Sequence, residues 1–336
     1  MELELITDMA PDAWDEKIEA FDSKCLFHQS VWLKYLEETQ GGKTHRFRIT
    51  DNGKTVGYFV GLIVRKGPLR IMGSPLPGWT TDYMGPVVNK DFDFERFLDA
   101  LEQTCRALKV HHVELCNQFL PPDLMRSRGY SVQEASTYII PLYADEEQMR
   151  QNLDRKCRQN IRKGISNNLV VEECDDPAVI DEYYAELTNV FAKQKLVPTY
   201  PVKRIRSLFR ILHPDSITVL RVKHGDAVIA SALLLHDNRC GYLFGAASWR
   251  ESQGLYPNEL LYWTAMTMFA KKGMPQLDMC GAGSYKAKYG ALNVPVYKYA
   301  KSYNVFARVG REAYRKMFRM KQELSGRLSA WSTRAA

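Results

Sequence analysis

No apolar run in this 336-residue chain is long enough to cross a bilayer. The longest, around Val56–Val64, falls far short of the roughly 20 residues a spanning helix needs, and the acidic start Met1-Glu2-Leu3-Glu4 does not read as a signal peptide. A cytoplasmic location is the expectation. The seven cysteines form no C-x-x-C pair, which excludes a zinc ribbon or dithiol redox motif and suits free thiols in a reducing compartment. His111-His112 beside Glu114 makes no metal site in this reading, since adjacent strand residues point to opposite faces, and no metal is expected. A P-loop, a G-x-S-x-G elbow and a G-x-G-x-x-G fingerprint are all missing, which removes kinase, serine hydrolase and dehydrogenase readings. Charge of one sign is also scarce: 46 basic against 39 acidic residues give +7, too little to announce a polyanion binder but enough to favour an anionic ligand.

What is present is ordinary globular material, 45% hydrophobic and 25% charged, in a length that suits two domains. The chain repeats itself. Asp51-Asn52-Gly53 stands between apolar segments and His224-Gly225-Asp226 does so again half the chain later, each a hairpin signal because the turn needs positive φ. Downstream of the first hairpin, Phe94, Phe97, Leu98, Leu101, Cys105 and Leu108 recur at helical spacing, followed by a strand at Val113–Cys116. Downstream of the second, Asn258 is placed to cap a helix carrying Leu261, Ala265, Met268 and Phe269, which Gly273 ends before a strand at Gln276–Cys280. The order hairpin, helix, strand in both halves predicts an α/β (mixed α+β) chain of two related domains, each a mixed sheet flanked by helices, residues 1–143 and 144–310. A C-terminal helix over 311–336 is expected to pack back on the first.

The segment richest in chemistry is Asp278-Met-Cys-Gly-Ala-Gly283-Ser-Tyr285-Lys286-Ala-Lys288-Tyr289-Gly290, a strand running into glycines and then a cationic, aromatic cluster. If extended, it puts Lys286 and Lys288 on one face and Tyr285 and Tyr289 on the other; a loop with solvated lysines is the plainer alternative. On the strand Gly241–Ser248, Tyr242 and Phe244 alternate onto one side, as pocket wall or as core. Arg250–Pro257, with Gly254, feeds the helix at Asn258, where a helix N-terminus suits a phosphate. Basic residues crowd one predicted helix over Arg150–Lys163 and another over Arg308–Arg327.

Together these residues resemble the Fem-type aminoacyltransferases of the GNAT-like acyltransferase superfamily, from about Phe27 to Tyr303. The run Phe27-His-Gln29-Ser-Val-Trp32-Leu-Lys34 is similar to the family's glutamine–tryptophan–lysine opening, and Asp82-Tyr83-Met-Gly85-Pro86 to its Gly-Pro strand start. Tyr242–Ser248 and the aromatic-Lys-x-x-aromatic-Gly element Tyr285–Gly290 follow in family order. The resemblance implies two GNAT-like domains. It also implies transfer of an aminoacyl or acyl group to an amine of a cell-envelope precursor, a muropeptide or glycan intermediate, nucleotide- or lipid-linked. Lys286, with Tyr285 beside it, matches the lysine that stabilises the oxyanion, and Lys34 a lysine on the acceptor's diphosphate. Tyr242 matches a pocket tyrosine, Phe244 stands where the family usually keeps a second tyrosine so that one pocket hydroxyl is lost, and Tyr289 is counted with the substrate-binding residues. The carboxylate expected after the first domain's last strand is replaced by Asn117, leaving Glu114 and Asp82 unranked as substitutes, with Asp82 counted among the substrate-binding residues.

The donor stays open between aminoacyl-tRNA and acetyl-CoA, with no tightly bound cofactor; Arg250, Gly254 and Asn258 are the residues that would meet the acetyl-CoA diphosphate. Charged tRNA and peripheral membrane association stay open as partners. The alternatives are an acetyl-CoA-dependent N-acetyltransferase acting on an amino sugar or polysaccharide precursor, and a non-catalytic GNAT-like module binding anionic glycan or nucleic acid.

Overall fold

The computed structural model describes residues 1–193, 196–313, 316–317 and 320. It divides into two compact units, one of Met1–Ser136 with Pro295–Tyr314 and one running from Thr137 to Val294. The division thus falls earlier than residue 143. Residues 305–313 are helical and belong to the first unit, whereas most of the 311–336 segment lies outside the described residues.

The first unit contains β1 (Glu2–Ile6), α1 (Pro11–Glu19), α2 (Ser30–Gln40), β2 (Lys43–Asp51), β3 (Lys54–Lys66), β4 (Leu69–Ser74), β5 (Pro86–Val88), α3 (Phe94–Ala107), β6 (His112–Asn117) and α4 (Pro122–Ser127). The division falls inside β7 (Ser131–Pro141) and inside the last strand, β13 (Leu292–Ser302). The second unit contains α5 (Glu146–Asn152), α6 (Arg155–Ser166), β8 (Leu169–Glu173), α7 (Val179–Lys193), α8 (Val202–Leu212), β9 (Ile217–His224), β10 (Ala227–His236), β11 (Gly241–Ser248), α9 (Pro257–Lys271) and β12 (Gln276–Asp278). The order strand, two helices, three strands, helix, strand occurs in both units, with β5 and α4 added in the first and α5 and α6 preceding it in the second.

Each hairpin forms where the turn residues require it. Asn52 and Gly53 take φ of 48° and 74° between β2 and β3, and Gly225 takes 60° between β9 and β10. The basic run over 150–163 is two helices rather than one. Leu153 is extended, and the Asp154 carboxylate accepts from the Cys157 N–H, so the chain stops after α5 and restarts at α6. The first core packs Phe47, Phe59 and Phe97 with Leu101, Val113 and Leu115; the second packs Leu220, Val222 and Leu234 with Leu261, Met266 and Phe269.

The two units differ at one place that bears on function. In the first, the parallel strands β4 and β6 stay paired from Ile71↔His112 to Ser74↔Leu115, where β4 ends. In the second, the parallel pair β11 and β12 shares only Gly241↔Leu277 and Tyr242↔Asp278, and β11 then runs six residues further. Among the described residues no strand pairs with that side of β11 beyond Tyr242. The close start of β11 depends on a missing side chain, because a Cβ on Gly241 would stand 2.4 Å from the Phe269 ring. Gly241→Ala is therefore expected to destabilise the protein by about 1–3 kcal/mol through overpacking, measured by urea unfolding; an unchanged midpoint would mean that Phe269 has room to yield.

Candidate active site

Where β12 leaves β11, the chain enters a loop built against backbone preference. Cys280, Gly281 and Gly283 have φ of 51°, 80° and 155°. Asp278, completely buried, accepts from the Thr137 hydroxyl and from the Cys280 N–H at 2.8 Å, and Thr137 Oγ1 accepts from the Gly281 N–H at 3.2 Å. The carbonyls of Met279, Cys280 and Gly281 all turn toward one group, the Lys286 ammonium, each at 2.8 Å. Lys286 is 4% exposed, and its three N–H bonds match these three acceptors. A buried charge is tolerated when it is fully hydrogen-bonded, and here it holds the loop in shape.

Residues Ser284–Tyr289 form a short 3₁₀ helix rather than an extended strand, so the alternating faces expected for Lys286/Lys288 and Tyr285/Tyr289 do not occur. Lys286 faces the loop, while Lys288 pairs with Glu259 at 2.8 Å. Tyr285 is 55% exposed, and Tyr289 is buried against Tyr262, edge to face at 5.1 Å. Asn160 of α6 also donates to Glu259, at 3.1 Å, and the Asp154 N–H donates to the Lys288 carbonyl at 2.9 Å. Burial pushes the Glu259 carboxyl up, but the hydrogen bonds from Lys288 and Asn160 outweigh it and hold the group below its ordinary range. Burial raises the Tyr285, Tyr262 and Tyr289 hydroxyls, which stay protonated donors.

The strand β11 carries a bulge in the same region. Leu233 pairs with Gly245 and Leu234 with Leu243, leaving Phe244 as the extra residue. Strict alternation of Tyr242 and Phe244 is thereby broken. Tyr242 is buried, Phe244 half-buried with its ring 6.3 Å from Tyr200. The helix α7 packs on β10 and β11, bringing the Tyr183 hydroxyl against Gly245, where an added Cβ would stand 2.2 Å from it. Burial, then the nearby Tyr200 and Tyr262, raise the Tyr183 hydroxyl well above its ordinary range. Tyr183, Tyr200 and Phe244 thus lie along β11 past Tyr242.

The loop after β11 is a 3₁₀ turn over Arg250–Leu255, with Arg250 and Gly254 exposed. The helix begins at Pro257 with Tyr256 as N-cap, so Asn258 lies within the first turn and does not cap it; its amide donates to Ser248 Oγ at 3.2 Å. Proline at the first helical position explains the earlier start. Glu259 stands in the same first turn.

Lys34 and Asp82 belong to the first unit. Lys34 is exposed on α2, and Asp82 is half-buried, its carbonyl accepting from Cys116 Sγ. Glu114, also in the first unit, is 6% exposed and receives His112 Nε2 at 3.0 Å together with the Arg311 guanidinium. Burial raises its pKa, but these two donors outweigh burial and lower it, so Glu114 is an ionised clamp on the helix of 305–313. His112 Nδ1 meets Ser302 Oγ at 2.7 Å, while His111 Nδ1 accepts from the Arg70 N–H. The two histidines engage different partners, and among the described residues no cluster of three His, Cys, Asp or Glu is arranged to hold a metal. No helix among them is long and apolar enough to cross a membrane.

Sequence reasoning missed Tyr183, Glu186, Tyr200 and Glu259. They carry no local motif; packing alone sets Tyr183, Glu186 and Tyr200 beside β10 and β11 and Glu259 against Lys288 and Asn160.

Residues 148–290 match the family model described as acetyltransferase (GNAT) domain. Among solved structures, the crystal structure of FemX aligns with a TM-score of 0.71 at 13% identity, over 88% of this chain and 97% of that one. A tandem GNAT protein from the clavulanic acid biosynthesis pathway aligns with a TM-score of 0.51 at 11% identity, over 90% and 98%. The C-terminal domain of a putative lysylphosphatidylglycerol synthetase from Agrobacterium fabrum also gives 0.51 at 11% identity, over 85% and 92%. No curated protein matches the sequence. The loop held by Lys286 lies inside the matched domain. Replacing Lys286 by Met strands three inward-facing carbonyls, so stability should fall by about 2–4 kcal/mol in urea unfolding. A variant as stable as the parent would show that the ammonium does not hold the loop. The chain has the fold of FemX and of the tandem GNAT protein, and residues 148–290 of its second unit match an acetyltransferase (GNAT) domain.

Proposed function

We propose that this chain transfers an aminoacyl or acyl group to a primary amine of a nucleotide- or lipid-linked envelope precursor, at the open edge of β11 in the second unit. The observation that supports this reading is the parting of β11 from β12 after Tyr242 and Asp278. An unpaired parallel edge offers backbone donors and acceptors to an extended acyl chain, as an added strand would. The bulge at Phe244 turns the backbone at that edge, and the aromatic groups around it exclude water. Tyr285, exposed and protonated, is the hydroxyl donor for the developing oxyanion. Lys286 acts as a positioning residue, its own donors being spent on the loop.

The donor in this reading is an aminoacyl-tRNA. Glu259 in the first turn of α9, paired with Lys288, already compensates the positive end of that helix, which leaves less of the dipole for a diphosphate. The second reading, an acetyl-CoA-dependent N-acetyltransferase acting on an amino sugar or polysaccharide precursor, is favoured by the acetyltransferase description of the matched domain and places Arg250, Gly254 and Asn258 at the diphosphate.

Thermal unfolding with each donor separates the two. A donor that binds the folded state at 100 times its Kd adds about 2.7 kcal/mol of apparent stability. Charged tRNA should raise the midpoint more than uncharged tRNA, with acetyl-CoA inert. Stabilisation by acetyl-CoA alone selects the second reading, and stabilisation by neither donor contradicts acyl transfer. Tyr285→Phe should then lower turnover with the productive donor about tenfold or more without changing the fold; full turnover would remove its hydroxyl from the mechanism.

A further inference from the structure

The helix α7 carries a group that nothing above uses. Glu186 is 1% exposed, and one carboxyl oxygen, Oε1, accepts from Ser231 Oγ at 3.2 Å. The other, Oε2, is buried with no hydrogen-bond partner. One turn before it stands Tyr183, whose hydroxyl touches Gly245 beside the bulge, and three residues after it Asn189 likewise buries an amide oxygen without a partner. Residues 183, 186 and 189 share one face of the helix, the face that packs on β10 and β11. Ser231 of β10 is paired with Ala247 of β11, three residues past the bulged Phe244. An unsatisfied buried carboxyl oxygen is costly, and an uncompensated one beside the bulged strand points to a ligand that completes it.

We propose that this face of α7 is the acceptor site, and that Glu186 Oε2 takes the proton from the primary amine that attacks the acyl group. The proposal rests on the acyl-transfer reading above and names the base that reading lacked. The entering ammonium favours ionisation of the carboxyl, which releases its proton to solvent, and one proton then passes from nitrogen to Oε2. The neutral nitrogen attacks the acyl carbon; the C–N bond forms, the bond to the leaving oxygen or sulfur breaks, and the second nitrogen proton ends on the leaving group. Phe244 and Tyr200 flank the carbon skeleton, and the Asn189 amide oxygen supplies a second acceptor.

The surroundings suit a base for an amine. Burial, with Glu182 nearby, pushes the Glu186 carboxyl up to about 8, against the opposing hydrogen bond from Ser231. Such a value brings the acid close to an amine in strength, so the proton passes with little driving force against it. The charged groups around it are otherwise engaged: Arg221 of β9 pairs with Glu172 and Glu182, and Arg206 of α8 with Asp181. Tyr183 faces the same space as a protonated hydroxyl, whereas the nearby β10 and β11 residues, Ser231 and Gly245–Ala247, carry no charge.

Two measurements test this. In the first, the protonated-carboxyl infrared band that is lost in Glu186→Gln is titrated in the intact protein, alone and with D-glucosamine or L-lysine as amine probes. The midpoint should lie near 8 without a probe and fall by at least one pH unit with at least one of them; a midpoint that neither probe moves overturns the amine site. In the second, Glu186→Gln should lower kcat about 100-fold with that amine but less than tenfold with hydroxylamine, which needs no base at neutral pH. Equal losses on both acceptors overturn the proton-acceptor role. A midpoint that responds to amines in a protein that transfers no acyl group from either donor leaves the amine site standing and contradicts the acyl-transfer reading instead. A purely structural role predicts only a stability effect. The raised pKa is a favourable contribution below about pH 4.5 that is lost as pH rises through 8, and the Gln variant does not show that loss.

Discussion

Three hydrogen bonds from one ammonium keep the second unit open. The Lys286 side chain gathers the carbonyls of Met279, Cys280 and Gly281, and with Asp278 and Thr137 holding the N–H side, the chain cannot continue along β11. The edge of β11 past Tyr242 is left without a strand neighbour as a direct result. The first unit has no such device. Its equivalent strands stay paired to the end of β4, and there Ser74 Oγ satisfies the chain by donating to the Val60 carbonyl and accepting from the Gly85 N–H. The two units thus differ in whether the parallel pair closes, and the proposed chemistry lies in the one that stays open.

Much of the fold was legible in the sequence because it rests on local rules. Asn52-Gly53 and Gly225 set their hairpins through positive φ, and the apolar spacing from Phe94 to Cys105 set α3. The glycines at 281 and 283 marked the loop for the same reason. The errors came where local rules compete. Period-two reasoning at Tyr285–Tyr289 assumed an extended chain, but a buried ammonium needs its carbonyls on one side, and a 3₁₀ turn supplies that. Asn258 is a good capping residue, yet Pro257 already fits the first helical position and moved the start. The alternation of Tyr242 and Phe244 was defeated by a bulge that no residue between them announces.

The site itself was half legible. Tyr285, Lys286 and Tyr289 stand out as a motif, and the structure gives them three different jobs: an exposed hydroxyl, a loop clamp and a buried packing ring. The α7 face was invisible. Tyr183, Glu186 and Asn189 recur every three residues, as any helix face does, and only the close approach of α7 to Gly245 and Ser231 shows that their polar atoms are buried. Sequence spacing reports which residues share a face, whereas chemistry depends on what that face meets.

Amide hydrogen exchange with and without the productive donor tests the central claim most directly, because it reads the strand edge itself. The account predicts added protection at residues 243–248 and 279–283, with residues 71–74 and 112–115 of the closed pair unchanged. Protection confined to the first unit, or none along β11 while the donor is bound, would contradict it.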